Sequence, residues 1–256
     1  MTHLELVMAF IFGICIGSFL NVCIFRLPEG KSIVHPPSSC PGCGAAIRLY
    51  DNIPVLSYFI LRGRCRDCHT PIAFRYILVE LLGGLMAVCV YFRFGPGMEG
   101  IIYYAFMAAL LVITFIDIDH RIIPDVISLP GIPLGVAASF FMPSLSWADS
   151  LIGVLAGGGS LYAVAWGYVR ITGKEGMGGG DIKLLAMIGA FIGWKGVLLT
   201  IFMGSAIGTL VGLAAMLAEK KNMKMRIPFG PFLALGAVIS IFFGQELIGW
   251  YLTTLV

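Results

Sequence analysis

Long apolar runs separated by short polar links dominate this chain. Runs able to enter lipid, at about 20 residues per crossing, fall near 4–25, 76–92, 101–116, 127–142, 150–170, 182–193, 197–217 and 229–253. That pattern predicts an all-α polytopic membrane protein of about eight transmembrane helices. The run at 182–193 is short and leads into Gly193-Trp194-Lys195-Gly196, so it either fuses with the next run or crosses at a tilt. Only one polar stretch is sizeable, residues 26–75, rich in Pro, Gly, Cys and Arg. It is too short for an ordinary hydrophobic core, so something else must hold it together. The expected organisation is a first transmembrane helix over 1–25, a loop domain over 26–75 and a transmembrane domain over 76–256.

Composition supports this reading. The chain has 256 residues, 59% apolar and 12% charged, against the roughly 45–50% apolar share of soluble domains. Lipid is therefore its main solvent. A net charge of +3 without a basic, aromatic-interleaved stripe argues against nucleic acid as a partner. The amino terminus, MTHLELVMAFIFGICIGSFL, lacks a basic leading region and an A-x-A-like cleavage site, so it reads as a retained span. If the spans alternate, 15 of the 17 Lys and Arg fall on one side, with only Arg93 and Lys195 opposite. The positive-inside rule makes the rich side cytoplasmic, with both termini outside and the loops after 116 and before 182 inside. Glycines within the spans, among them Gly153, Gly157, Gly204 and Gly208, suit close helix approach.

The cysteines change the picture of the loop. Cys40-Pro-Gly-Cys43 and Cys65-Arg-Asp-Cys68 form a C-x2-C, x21, C-x2-C pattern, with a gap one residue beyond the usual window. Two such knuckles supply four thiolates in a tetrahedron, which suits a structural zinc that replaces the missing core. Disulfides are the competing reading, and a reducing cytosol disfavours them. Four sulfur ligands leave no open position for water, so such a metal is structural. Cys15, Cys23 and Cys89 stand singly in apolar runs and read as small hydrophobes.

Two acids stand at the edges of separate spans. Asp117 closes the run 101–116, and Asp181 follows Gly176-Met177-Gly178-Gly179-Gly180, 64 residues later. Ionisable groups there are costly unless paired or wetted, which marks them as functional. A two-aspartate hydrolase needs one ionised carboxylate to deprotonate water and one protonated to donate to the scissile carbonyl. Gly178 and Gly180 would permit backbone conformations closed to bulkier residues and leave room for an extended substrate. Asp119 is a rival partner or a solvated loop acid, and Lys183 an interfacial anchor or electrostatic neighbour of Asp181. Asp125 and Asp149 read as helix caps. Glu80, inside the second span, either pairs with a neighbouring helix or lines a site. A cation transporter with a zinc-bound regulatory loop is the alternative, and it would need acids near the bilayer midplane.

Taken together, Gly17-Ser18-Phe19-Leu20-Asn21-Val22, both cysteine knuckles, Phe115-Ile116-Asp117-Ile118-Asp119 through Pro124-Asp125, and the stretch from Gly173 to Lys183 resemble the type 4 prepilin peptidases. The order and spacing match over nearly the whole chain. The resemblance implies a bacterial inner-membrane aspartic protease of the G-x-G-D kind. Such enzymes cut the basic leader from type IV prepilins and type II secretion pseudopilins, and many then methylate the new amino terminus with S-adenosyl-L-methionine. It implies Asp117 and Asp181 as the catalytic pair and ties the loop of Cys40, Cys43, Cys65 and Cys68 to methyl transfer. Presenilin-like intramembrane proteases share G-x-G-D but not the cysteine loop. A peptidase without methyltransferase activity stays open, because no strand–GxGxxG–helix unit is present. Asn21 and Glu29 are candidates for the methyl-donor site.

Overall fold

The computed structural model describes residues 3–174, 176–219 and 228–255. Lys220, Lys221, Lys224 and Arg226, which contribute to the expected charge asymmetry, lie outside them, as does Glu175. The described residues form helices α1 (His3–Arg26), α2 (Leu56–Ile60), α3 (Phe74–Phe94), α4 (Met98–His120), α5 (Asp125–Ala138), α6 (Trp147–Thr172), α7 (Gly179–Glu219) and α8 (Gly230–Leu255). Extended pairing among the described residues is confined to isolated bridges, Ser39 with Ala46 and Arg64 with Pro71. The protein is all-α and polytopic. Continuous helix is what apolar runs adopt in lipid, where every backbone N–H and C=O must be satisfied within the segment.

Six of these helices are long and apolar enough to cross a membrane, with α7 counted once. All eight expected apolar runs are helical, but two do not make simple crossings. The run expected at 127–142 becomes the 14-residue α5, with Pro130 and Pro133 inside it, followed by a 3-10 turn over Ser139–Phe141. At 1.5 Å per residue α5 spans about 21 Å, short of the roughly 30 Å hydrocarbon layer.

The other case is α7. Within its 41 residues Gly193 takes φ 70°, ψ 176°, outside helical geometry. Its start lies near Asp117: Gly180, next to Asp181, packs on Ile123, which also flanks Gly230, and the Gly230 N–H bonds the Asp117 carboxylate. Two residues beyond Gly230, Phe232 packs on Gly204 and Gly208. A straight helix would carry Gly208 about 40 Å from Asp181, which these contacts forbid. The chain therefore reverses at Gly193, and α7 is two antiparallel arms matching the separate runs 182–193 and 197–217. The left-handed φ at Gly193 is open to glycine and costly for other residues.

The chain divides into two compact units, the first running through Val112 and the second beginning at Ile113. In the first, α1 and α3 pack antiparallel. Gly13 lies against Gly83 and Gly84, Gly17 against Glu80, and Asn21 donates to the Tyr76 carbonyl at 3.0 Å. A Cβ on Gly13 would sit 2.5 Å from the Gly83 oxygen, so the helices meet backbone to backbone. In the second unit, Gly153 meets Gly189 and Gly157 meets Leu185 across α6 and α7. The Ser150 hydroxyl donates to the Ala190 carbonyl at 2.6 Å, and Leu184, Leu185, Ile188 and Val197 are fully buried there.

Candidate active site and metal centre

The second unit brings together the acids singled out in the sequence. Asp117 sits in the last turn of α4 with 5% of its surface exposed. Its Oδ2 accepts a hydrogen bond from the Gly230 backbone N–H at 3.1 Å, where α8 begins. Asp181 lies in the first turn of α7, half-buried and within Coulombic reach of Asp117. Ile123, on the link between α4 and α5, fills the space beside both Gly180 and Gly230. Two carboxylates held at the edge of an apolar helix cluster can divide the roles of base and acid toward a water and a carbonyl.

Space, rather than unusual torsions, explains the glycines before Asp181. None of Gly178, Gly179 or Gly180 has positive φ, contrary to the expectation from their sequence. A Cβ on Gly180 would lie 3.0 Å from Ile123 Cβ, and one on Gly176 would lie 2.5 Å from the Tyr168 ring. Beside Gly178 and Gly179 there is room, the closest side-chain atom being Asp181 Oδ2 at 4.0 Å from a Cβ on Gly178.

The neighbouring polar residues sort differently. Asp119 is exposed, two positions past Asp117 and so on another face of α4. Lys183 Nζ lies 2.8 Å from both oxygens of Asp125, so its ammonium is engaged by Asp125 and fastens the start of α5 to the start of α7. Asp125 is not a cap, since Pro124 holds that position. Asp149 is not one either. Ser146 caps α6 by accepting from the Asp149 N–H at 3.1 Å, and the Asp149 carboxylate accepts from Trp194 Nε1 at 3.1 Å. The sequence reading passed over Gly230 and Ile123. Gly230-Pro231 at the head of an apolar run was the one available signal for the first, and none marked the second.

In the first unit the loop carries a second cluster. The Sγ atoms of Cys40, Cys43, Cys65 and Cys68 lie within 4.8 Å of one another. None is in a disulfide. The two knuckles repeat one backbone design: Gly44 N–H to the Cys40 carbonyl with Cys40 N–H to Ala45, and His69 N–H to the Cys65 carbonyl with Cys65 N–H to Thr70. Gly44 and His69 occupy the same left-handed position, at φ 73° and 58°. Cys40 and Cys68 Sγ are 3.7 Å apart, close to the roughly 3.8 Å edge of a tetrahedron with 2.3 Å metal–sulfur bonds. Hydrogen bonding with Thr70 holds the Cys68 thiol down to about 6, whereas Cys43, despite the lowering by its Ala45 backbone bond, is pushed up to about 12 by the neighbouring thiols, so the four share their protons unequally. The cluster can hold a metal ion.

Glu80, the acid a transporter would need at mid-membrane, instead sits in the second turn of α3 and accepts from the loop, from Val55 N–H at 2.7 Å. Asn21 is buried, and Glu29 pairs with Lys31 at the surface.

The model of the bacterial peptidase A24 N-terminal domain matches residues 11–94, and that of the type IV leader peptidase family matches residues 104–213. Curated relatives match nearly end to end. A prepilin leader peptidase/N-methyltransferase of Aeromonas hydrophila is 37% identical over 96% of this chain and 93% of its own length. The chain belongs to the type IV leader peptidase family. Proteins of the same description from Pseudomonas putida and Pseudomonas aeruginosa are 37% and 38% identical, each over 94% of this chain and 91% of their own length. No solved structure matches. The family is one of peptidases, so the chain is an enzyme whose chemistry is sought among its membrane-edge acids. Asp117 and Asp181 both lie within the stretch matched by the leader peptidase model.

Proposed function

We propose that this enzyme cleaves the leader peptide from type IV prepilins and pseudopilins and then methylates the new amino terminus. The observation that carries the reading is the meeting of Asp117 and Asp181 from separate helices in a chain whose relatives are named for both activities. Asp117 and Asp181 share the peptidase chemistry. The ionised carboxylate takes a proton from water, and the protonated one donates to the scissile carbonyl oxygen. The Gly230 N–H fixes one Asp117 oxygen and so orients the carboxylate. In the methylation half-reaction the amine forms a C–N bond with the methyl carbon, the S–C bond breaks, sulfur keeps its electron pair as a thioether, and one amine proton passes to water.

Cys40, Cys43, Cys65 and Cys68 hold a structural zinc, the metal that four clustered thiolates select. The division into a first helix, a cysteine loop and a transmembrane peptidase domain follows from this assignment. So does an inner-membrane setting with the aspartates and the loop on the cytoplasmic side, in keeping with the Lys and Arg distribution. A prepilin with its basic leader in the cytosol and its apolar helix in the bilayer would present its scissile bond at that depth. Free S-adenosyl-L-methionine reaches the same side.

The test is cleavage of a prepilin by membranes carrying wild type, Asp117→Asn, Asp181→Asn or Asp119→Asn, with product termini read by mass spectrometry. Loss of cleavage in the first two variants only, with one added methyl on the wild-type product, is the expected result. Normal cleavage by either Asp117→Asn or Asp181→Asn would sink the dyad.

A further inference from the structure

The short helix α2, in the polar loop of the first unit, turns its apolar side outward. Its buried residue is Ser57, whose hydroxyl accepts from the Ile53 N–H at 3.0 Å and donates to the Tyr50 carbonyl at 3.2 Å. Leu56, Phe59 and Ile60, by contrast, are 58%, 66% and 67% exposed. Water selects the reverse arrangement, with serine outward and the large apolar side chains packed inward. An exposed apolar face of this kind marks a contact with another protein or with a membrane.

The depth of α2 decides between the two. Val55, at its N-cap, donates its backbone N–H to the Glu80 carboxylate at 2.7 Å. Glu80 lies six residues beyond Phe74, where α3 begins, which at 1.5 Å per residue is about 9 Å along the helix axis. The 21 residues of α3 reach about 32 Å, little more than the roughly 30 Å hydrocarbon layer that such a helix crosses. An acid more than one turn inside the span stands where headgroups give way to acyl chains. The helix bonded to it is held at the same level, and interfacial helices bury their apolar faces about 5–10 Å into that boundary.

Charge agrees with that depth. Arg62 and Arg64 follow α2 directly and are exposed, and neither pairs with an acid among the described residues. Arg66, two positions on, is already committed to Asp51. Free guanidinium groups beside an interfacial helix suit phosphate, which they meet with two parallel hydrogen bonds.

We propose that α2 is an interfacial anchor of the loop: Leu56, Phe59 and Ile60 enter the acyl-chain boundary of the membrane that α3 crosses, and Arg62 and Arg64 meet the phosphates of its phospholipids. The occupant is already beside the helix, since α3 rises from the same bilayer. Anchoring here also holds the cysteine cluster to the membrane surface, because Cys65 follows five residues after Ile60. The proposal needs α3 to span the bilayer and depends on neither reaction.

The test uses the wild-type full-length protein in nanodiscs of phosphatidylcholine and phosphatidylglycerol that include a phospholipid with a diazirine near the carbonyl end of one acyl chain. After irradiation, labelled residues are mapped by mass spectrometry. Leu56, Phe59 and Ile60 should carry lipid adducts, as should Leu81 at the level of Glu80 on α3, while the exposed polar run 66–70 should carry none. In a Phe59→Gln/Ile60→Gln variant the adduct at Leu56 should be lost and hydrogen exchange over 56–64 should rise, with the metal content of the cysteine cluster unchanged. Adducts on Leu81 but none on α2 would overturn the anchor. Adducts on α2 that vanish when a prepilin is added would give the face to the substrate helix, and adducts that vanish as the protein-to-lipid ratio rises would give it to a second copy of the chain; either result overturns the proposal. Absence of label from Leu81 as well would overturn the spanning placement of α3 on which it rests.

Discussion

The backbone N–H of Gly230 reaches Asp117 Oδ2 at 3.1 Å across 113 residues of sequence. A Cβ at position 230 would stand 2.6 Å from that same oxygen. Gly230→Ala must therefore displace the carboxylate or the head of α8. We expect cleavage to fall at least about 100-fold, as for a misplacement of about 1 Å at a reacting group, while the metal content of the cysteine cluster in the first unit stays at the wild-type level. Paired cleavage assays and elemental analysis check both.

Close packing of α6 on α7 sets a second prediction. A Cβ on Gly153 would fall 2.2 Å from the Gly189 oxygen, and one on Gly189 would fall 2.1 Å from the Gly153 oxygen. Backbone cannot yield as a flexible side chain does. Gly153→Ala or Gly189→Ala should cost about 1–3 kcal/mol or more, read as a lowered thermal midpoint in detergent. Gly159→Ala, with open space beside it, should leave the midpoint unchanged.

The Asp125–Lys183 pair is two-pronged, but both side chains are substantially exposed. A double-mutant cycle with Asp125→Asn and Lys183→Met should give a coupling of only about 0.2–1 kcal/mol. Any larger effect on cleavage would reflect the position of Asp181, two residues before Lys183, and would appear in kcat rather than in the unfolding midpoint.

Metal removal tests the loop. One zinc per chain is expected from elemental analysis, and Cys40→Ser or a strong chelator should release it. Without the metal the loop has too little apolar surface to remain folded. Trypsin should then cut at Arg48, Arg62, Arg64 and Arg66, which the metal-bound form protects.

Acid should loosen the same loop by a separate route. Arg66 beside Asp51 holds that carboxyl below the usual carboxylate range. The folded loop thus binds this proton more weakly than the unfolded chain does. The stabilisation is present above the ordinary aspartate value of about 3.9 and is lost as pH falls through the lower folded-state value. Hydrogen exchange of loop amides, corrected for intrinsic pH dependence, should show a small added loss of protection below about pH 4 that Asp51→Asn abolishes. A loss centred near neutrality would contradict it.

Local pattern determined much of this protein. Apolar runs become helices wherever lipid is the solvent, because the backbone has no other way to satisfy its polar groups, so the helical segments and the long polar loop were legible from composition alone. The spacing of Cys40, Cys43, Cys65 and Cys68 foretold their convergence, since each knuckle closes through bonds only a few residues apart. Asp117 and Asp181 stood out because an acid at the edge of an apolar run is costly without a use. Tertiary structure decided the rest. α5 stops after 14 residues, and the torsion at Gly193 turns one long helix into two opposed arms. The engagement of Lys183 by Asp125, the Gly230 bond to Asp117 and the Val55 bond to Glu80 depend on which segments meet. Helix faces are chosen by packing between segments distant in sequence, and no run of neighbouring residues encodes that choice.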